Sequence, residues 1–226
     1  MATITDARTI RSPQRALQVF AEQPSVRVLT IQLVILIRVR MQLLADAGLA
    51  SLSWWDLAIV VGIFGLLWPV QEWVLHKYLL HLRPFELLGR RIDPFFAKKH
   101  RDHHAEPDHI PDIFLPLRVI VPLIPLTVGF WWLVMPTPAL AMTAMIAYGG
   151  AALLYEWIHY LTHTSVTPNT RWFRGVRRNH RYHHYKNERY WYAFVLPQVD
   201  TLFGTDPKPQ EVETSATARN LGGDLE

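Results

Sequence analysis

Residues 119–155 contain no Asp, Glu, Lys or Arg, and no other stretch restricts the fold of this chain so strongly. They read as two apolar runs, 119–135 and 139–155, parted only by Pro136, Thr137 and Pro138. A helix on a soluble core keeps one polar face, and neither run has one. Each is long enough to cover the hydrocarbon of a bilayer, so the short link predicts a tight hairpin across it. A third run, residues 57–75, reads LAIVVGIFGLLWPVQEWVL, with its first charge at Glu72. A helix of about 19 residues covers ~28 Å, close to the hydrocarbon thickness. Trp54, Trp55 and Trp73 near its ends suit the membrane interface, and Pro69 is a candidate kink that neighbouring helices can cover. Three such spans in 226 residues argue against a soluble helical core.

The N-terminal part reads differently. Residues 1–23 are polar and look loosely structured, and no removable signal is evident. Residues 28–37, VLTIQLVILI, are apolar, but Arg38 and Arg40 follow at once. About ten residues are too few to span, and extension to Ala50 places both arginines near mid-span, where charge is costly. The expectation is an interfacial amphipathic helix within an N-terminal segment 1–50. A membrane domain 51–206 follows, and then a polar, disordered tail 207–226.

Charge gives orientation. The net charge is +4. The hairpin tip is uncharged, whereas residues 77–118 and 171–189 hold Arg83, Arg90, Arg91, Lys98, Lys99, Arg101, Arg171, Arg174, Arg177, Arg178, Arg181, Lys186 and Arg189. The positive-inside rule makes that end cytoplasmic, and basic charge there suits lipid headgroups, with no nucleic-acid partner expected. Spanning by the N-terminal run would bring Arg8, Arg11, Arg15 and Arg27 to the same side.

That same end carries the chemistry. Ten of the eleven histidines fall in four groups: His76-x4-His81, His100-x2-His103-His104, His159-x3-His163 and His180-x2-His183-His184. An H-x-x-H-H triplet arises by chance at only ~1 in 10^4 positions, and here it occurs twice. Imidazole is the commonest protein ligand for transition metals. Ten are too many for one ion and about right for two, and two ions ~3.5–4 Å apart could share such a shell. Residues three or four apart share a helix face, so three of the groups can each point one way. His76 and His81, five apart, require that the helix end or bulge there, or that the two serve different ions. His109 reads as a loop histidine. The expected fold is all-α, an integral-membrane helical bundle with a cytoplasmic, histidine-rich helical cap holding a dimetal site.

Other chemistries fit poorly. The chain has no cysteine, so disulfides, thiolate sites and a cysteine nucleophile are excluded. H-E-x-x-H is absent, and among the grouped histidines E-x-x-H occurs once, from Glu156 to His159. Glu72 and Glu156 are better placed behind the ligands, holding imidazole N–H groups in the correct tautomer. No further catalytic residue is expected.

The stretches EWVLHKYLLH (72–81), HRDHHAEPD (100–108), YEWIHYLTH (155–163) and HRYHHYKNERYWYAF (180–194), with Leu202-Phe203-Gly204-Thr205, resemble the fatty acid hydroxylase/sterol desaturase superfamily. They look closest to its fatty acid 2-hydroxylase branch, and the resemblance covers about residues 71–206. It implies an integral-membrane di-iron oxygenase hydroxylating a C–H bond of a lipid acyl chain, and it gives ligand roles to the ten grouped histidines. It also implies two irons (replaceable by zinc in purified protein), O2, and electrons from a separate cytochrome b5-like protein or ferredoxin. Trp172, Phe173, Tyr190, Trp191 and Tyr192 would line the substrate entrance or anchor the interface. The alternatives are a sterol or carotenoid hydroxylase or desaturase, a membrane metal-binding protein, and a membrane-bound scaffold.

Overall fold

The computed structural model describes residues 5–46, 48 and 53–222. Helices dominate: α1 Pro13–Glu22, α2 Pro24–Asp46, α3 Trp54–Leu80, α4 Phe95–Ala105, α5 Ile110–Ile113, α6 Leu117–Val134, α7 Pro138–His163, α8 Arg171–Tyr185 and α9 Gln198–Leu202. The one sheet among the described residues is a hairpin of β1 Phe85–Leu87 and β2 Arg90–Ile92, with Glu86 opposite Arg91. Its turn, Leu88-Gly89, holds both residues at positive φ, the geometry that matches strand twist in a two-residue hairpin. The chain divides into two compact units, a membrane unit (Gln18–Trp68, Leu115–Trp157) and a histidine unit (Met1–Leu17, Pro69–Phe114, Ile158–Glu226).

Among the described residues, four helical segments are long and apolar enough to cross a membrane: Pro24–Asp46, Trp54–Leu80, Ile110–Val134 and Pro138–His163. In the membrane unit, large apolar side chains such as Ile31, Leu66, Leu126 and Leu133 face outward. Such a surface suits lipid and not water. α7 is the central helix, with 44% of its most apolar window buried against 11% for α2. Small residues let neighbours close on it: a Cβ on Gly149 would stand 3.1 Å from Leu33 Cδ2. Trp54 and Trp55 at the start of α3 are exposed, as interfacial anchors should be.

The N-terminal run departs from expectation. α2 is a 23-residue helix, long and apolar enough to cross, where the sequence favoured a shorter apolar run lying at the interface. Arg40 is partnered: its Nη2 donates to Asp56 Oδ1 at 2.8 Å and its Nε to Thr143 Oγ1 at 2.8 Å. Ser53 and Asp56 also form the reciprocal cap that starts α3. Pairing and hydrogen bonding offset the cost that made Arg40 look incompatible with a span.

The histidine unit contains three further departures. Residues 5–10 are fixed by backbone bonds, Ala7 N to Asp108 O at 2.8 Å and Ser165 N to Ile10 O at 3.0 Å, and Ala7 and Ile10 are buried. The tail expected to be disordered is placed through Gly222, with Val212, Ala218 and Leu221 buried. Polar composition hid a segment whose order comes from hydrogen bonds. Trp73, expected at the interface, is buried instead. It stacks on Phe203 at 4.3 Å and donates Nε1–H to Thr205 Oγ1 at 2.9 Å.

Candidate metal centre

All ten grouped histidines converge in the histidine unit, and all but His81 are buried. They form two sets of five. His76, His81, His100, His104 and His183 make the first; His103, His159, His163, His180 and His184 make the second. Within each set one nitrogen per residue lies within 4.8 Å of every other, and no residue belongs to both. The ten histidines thus divide into two donor sets, with the His104 and His184 rings 4.3 Å apart.

Each helix delivers its histidines for a local reason. α4 and α8 use the i, i+3, i+4 spacing, and each sends its first and third ligands to different sets from its middle one: His100 and His104 against His103, and His180 and His184 against His183. α7 ends in His159 and His163, one turn apart. The five-residue spacing of His76 and His81 is met by a π-helical stretch, Leu75–Leu80, whose i→i+5 bonding brings both to one set. Their rings lie 5.0 Å apart.

The nitrogens are arranged as donors to an ion. Nε2 atoms face one another at 3.1 Å (His76 and His100), 3.1 Å (His103 and His159), 2.7 Å (His163 and His180) and 3.0 Å (His180 and His184). Nitrogens ~2.1 Å from one ion and at right angles about it sit ~3.0 Å apart. Buried Nε2 atoms of His81, His104 and His183 have no hydrogen-bond partner. A transition-metal ion satisfies these atoms, so the donor set fits the group that the motifs imply.

Behind the ligands, backbone carbonyls fix the tautomer. His76 Nδ1 donates to Tyr192 O, His183 Nδ1 to Tyr190 O and His104 Nδ1 to Ala218 O, each at 2.7 Å. A proton on Nδ1 leaves Nε2 with its lone pair free for metal. Burial and the neighbouring imidazoles push His81, His100, His103, His180, His183 and His184 well below the usual histidine range. His104 is lowered to about 3, chiefly by burial. These imidazoles are neutral at pH 7, the form that binds metal.

The model of the fatty acid hydroxylase family matches residues 61–205, which include every one of these histidines. The chain belongs to the fatty acid hydroxylase family. A dihydroceramide fatty acyl 2-hydroxylase of Arabidopsis thaliana is 26% identical over 153 residues, 66% of this chain and 60% of its own length. The fatty acid 2-hydroxylases of Rattus norvegicus and Homo sapiens are each 24% identical, over 68% and 64% of this chain and 43% and 39% of their own. This family member therefore spans about three fifths of the plant relative and two fifths of the mammalian ones. Its fold matches the solved hydroxylase domain of scs7p with a TM-score of 0.64 at 19% identity, covering 87% of this chain and 69% of that one.

Two site expectations need correction in this hydroxylase-family chain. Glu72 and Glu156 are fully buried or nearly so, but their recorded bonds are to backbone and not to imidazole. Glu72 Oε1 accepts from Phe194 N and from Val195 N, and Glu156 Oε1 accepts from Leu115 N at 3.0 Å. Glu72 thus acts one step further out, on the loop whose carbonyls hold His76 and His183. Asp200, which sequence reasoning missed, grips the same loop by accepting from Tyr192 N and Ala193 N, both at 2.9 Å. A lone Asp in QVDTLFGT carries no spacing signal. Among the aromatics near the last motif, Phe173, Trp191 and Tyr192 are buried and so are not interfacial anchors, while Trp172 is exposed. Trp191 holds φ at 59°, a strained value that turns the carbonyls on either side toward the histidines. His109 lies outside both sets and donates from Nδ1 to Asp112 Oδ2 at 2.6 Å.

Proposed function

We propose that this chain is a membrane-bound di-iron hydroxylase that places a hydroxyl group on the acyl chain of a lipid, at the carbon next to the carbonyl. The observation that carries the reading is the pair of five-imidazole donor sets at the ends of apolar helices. All ten grouped histidines are assigned as ligands. Iron held by nitrogen donors supplies redox activation of dioxygen. The overall balance is C–H plus O2, two electrons and two protons, giving C–OH and water, so an external electron donor, cytochrome b5-like or a ferredoxin, is required.

The chain's own residues supply the setting. Lys and Arg are absent from residues 41–76 and 119–170, and the histidine-bearing segments are rich in both, which favours a cytoplasmic site. α3 and α7 each run from an apolar stretch directly into ligands, His76 and His159 with His163. A lipid anchored by its headgroup presents the first carbons of its acyl chain at the depth where such helices leave the hydrocarbon. Attack next to the carbonyl then needs little withdrawal of the chain. The names of the relatives, fatty acid 2-hydroxylases and dihydroceramide fatty acyl 2-hydroxylase, agree with this position.

The test is mass spectrometry of total lipids from cells expressing the intact chain beside a His183→Ala control. One added oxygen on C2 of acyl chains, seen only with the intact site, is the expected result. Added oxygen on a sterol or carotenoid, with acyl chains unchanged, would overturn the substrate.

A further inference from the structure

The polar C-terminal segment belongs to the metal centre. After Val212 the chain turns back over the histidine unit and touches two elements. On one side it meets the residues that follow α8: Asn187 Nδ2 donates to Glu213 O at 3.1 Å, Ser215 N to Lys186 O at 2.7 Å, and Thr217 Oγ1 to Glu188 Oε1 at 2.6 Å. On the other it meets the end of α4. Ala218 O accepts His104 Nδ1–H at 2.7 Å, and Arg219 donates to His104 O from Nε at 2.7 Å and to Ala105 O from Nη2. The Arg219 guanidinium also lies 5.3 Å from the centre of the Tyr185 ring, and the turn is closed by Leu221 N to Thr217 O at 2.7 Å. Ala218 and Leu221 are buried beneath it.

α4 carries His104 and α8, which ends just before residues 186–188, carries His183, two members of the same donor set with rings 4.9 Å apart; the same helices carry His103, His180 and His184 of the other set. Residues 213–222 bond directly to the imidazole of His104, a member of the first set, and so act most directly on that set. Arg219 satisfies the last carbonyls of α4, where a cation is also favoured by the helix dipole, and so holds the helix end against Ala218.

We propose that residues 213–222 are a strap that completes the first metal set, His76, His81, His100, His104 and His183, by fixing the His104 tautomer. This rests on the dimetal reading above. A hydrogen-bonding partner behind a metal-bound imidazole typically changes metal affinity by about 10–100-fold. Loss of the strap weakens the first set by that factor and leaves the second at full affinity.

The experiment is cobalt(II) titration of the chelator-stripped full-length protein in detergent, against a competing chelator and followed by visible absorption. It compares the intact chain, a chain ending at Val212, the double variant Thr217→Val/Arg219→Ala, and His104→Ala. The intact chain takes up two cobalt ions. The shortened chain and the double variant retain one tight ion and hold the other about 10–100-fold more weakly, as His104→Ala does more severely. Combining the double variant with His163→Ala then removes tight binding altogether. If the shortened chain does not insert, the double variant decides. Two ions bound with intact-chain affinity by the variants would overturn the strap, as would equal weakening of both sites. No cobalt bound by the intact chain would instead overturn the dimetal reading beneath it.

Discussion

The Phe194 ring lies nearly parallel to the His76 imidazole, 23° between planes and 5.1 Å between centres. The same side chain meets His180 at 4.5 Å and His159 at 5.1 Å, so one phenyl group packs against ligands of both donor sets. It is almost fully buried. Phe194→Ala removes this packing and leaves a cavity, with an expected loss of about 3–5 kcal/mol. Thermal unfolding in detergent, with metal content read on the same samples, checks it. A shift in stability without any change in metal content would show that the ring packs the core and does not set the sites.

Glu72 holds the Phe194 and Val195 amides from below. Glu72→Ala orphans two buried N–H groups at roughly 1–3 kcal/mol each. Glu72→Gln keeps an acceptor there and costs less. The ordering intact, Gln, Ala is expected in both thermal midpoint and metal retention, since the loop it supports carries the carbonyls behind His76 and His183.

Arg40, Asp56 and Thr143 form a buried polar group in the membrane unit, with Thr143 Oγ1 also 2.5 Å from Asp56 Oδ1. Arg40→Ala leaves the Asp56 charge unpaired, and breaking a buried pair costs about 3–5 kcal/mol. The double variant Arg40→Ala/Asp56→Ala removes both charges and recovers much of that loss. A double-mutant cycle on unfolding in detergent measures the coupling; additive effects would contradict the pairing.

Stability of the metal-free protein depends on pH with a definite sign. His81, His100, His103, His104, His180, His183 and His184 all have folded-state values below the ordinary ~6.5, mainly through burial. Below ~6.5 the unfolded chain binds protons that the folded chain refuses, so stability is full above that pH and falls as pH drops through it. Asp200 works in the opposite direction, because burial raises it to about 6. It takes up a proton in the folded state between its ordinary range and pH 6, which favours folding there. One carboxyl against seven imidazoles leaves the histidines in control. Chelator-treated protein is expected to unfold at a lower temperature at pH 5.5 than at pH 8.

The sequence disclosed those parts of the site that repeat at helical spacing. His100, His103 and His104, and their counterparts on α8, announce a shared helix because three and four residues make a turn. His76 and His81 left two readings open, since a π-helical stretch depends on packing that spacing does not encode. Glu72 reads as a carboxylate behind the histidines, but its partners, Phe194 and Val195, lie 122 and 123 residues away. The same distance problem hid Thr143 from Arg40, 103 residues apart, and made a membrane-length helix look interfacial. The strap escaped because its order rests on hydrogen bonds to α4 and to residues 186–188, which composition does not register.

The outer contacts of His76, His183 and His104 end on the main-chain oxygens of Tyr192, Tyr190 and Ala218. A carbonyl is the same group whatever side chain its residue bears. Protonation of the ligands is therefore governed by the path of the backbone, and the identities of positions 190, 192 and 218 are released from that duty. Position 192 keeps a separate duty of its own, because the Tyr192 ring packs 5.3 Å from the rings of His76, His81 and His183.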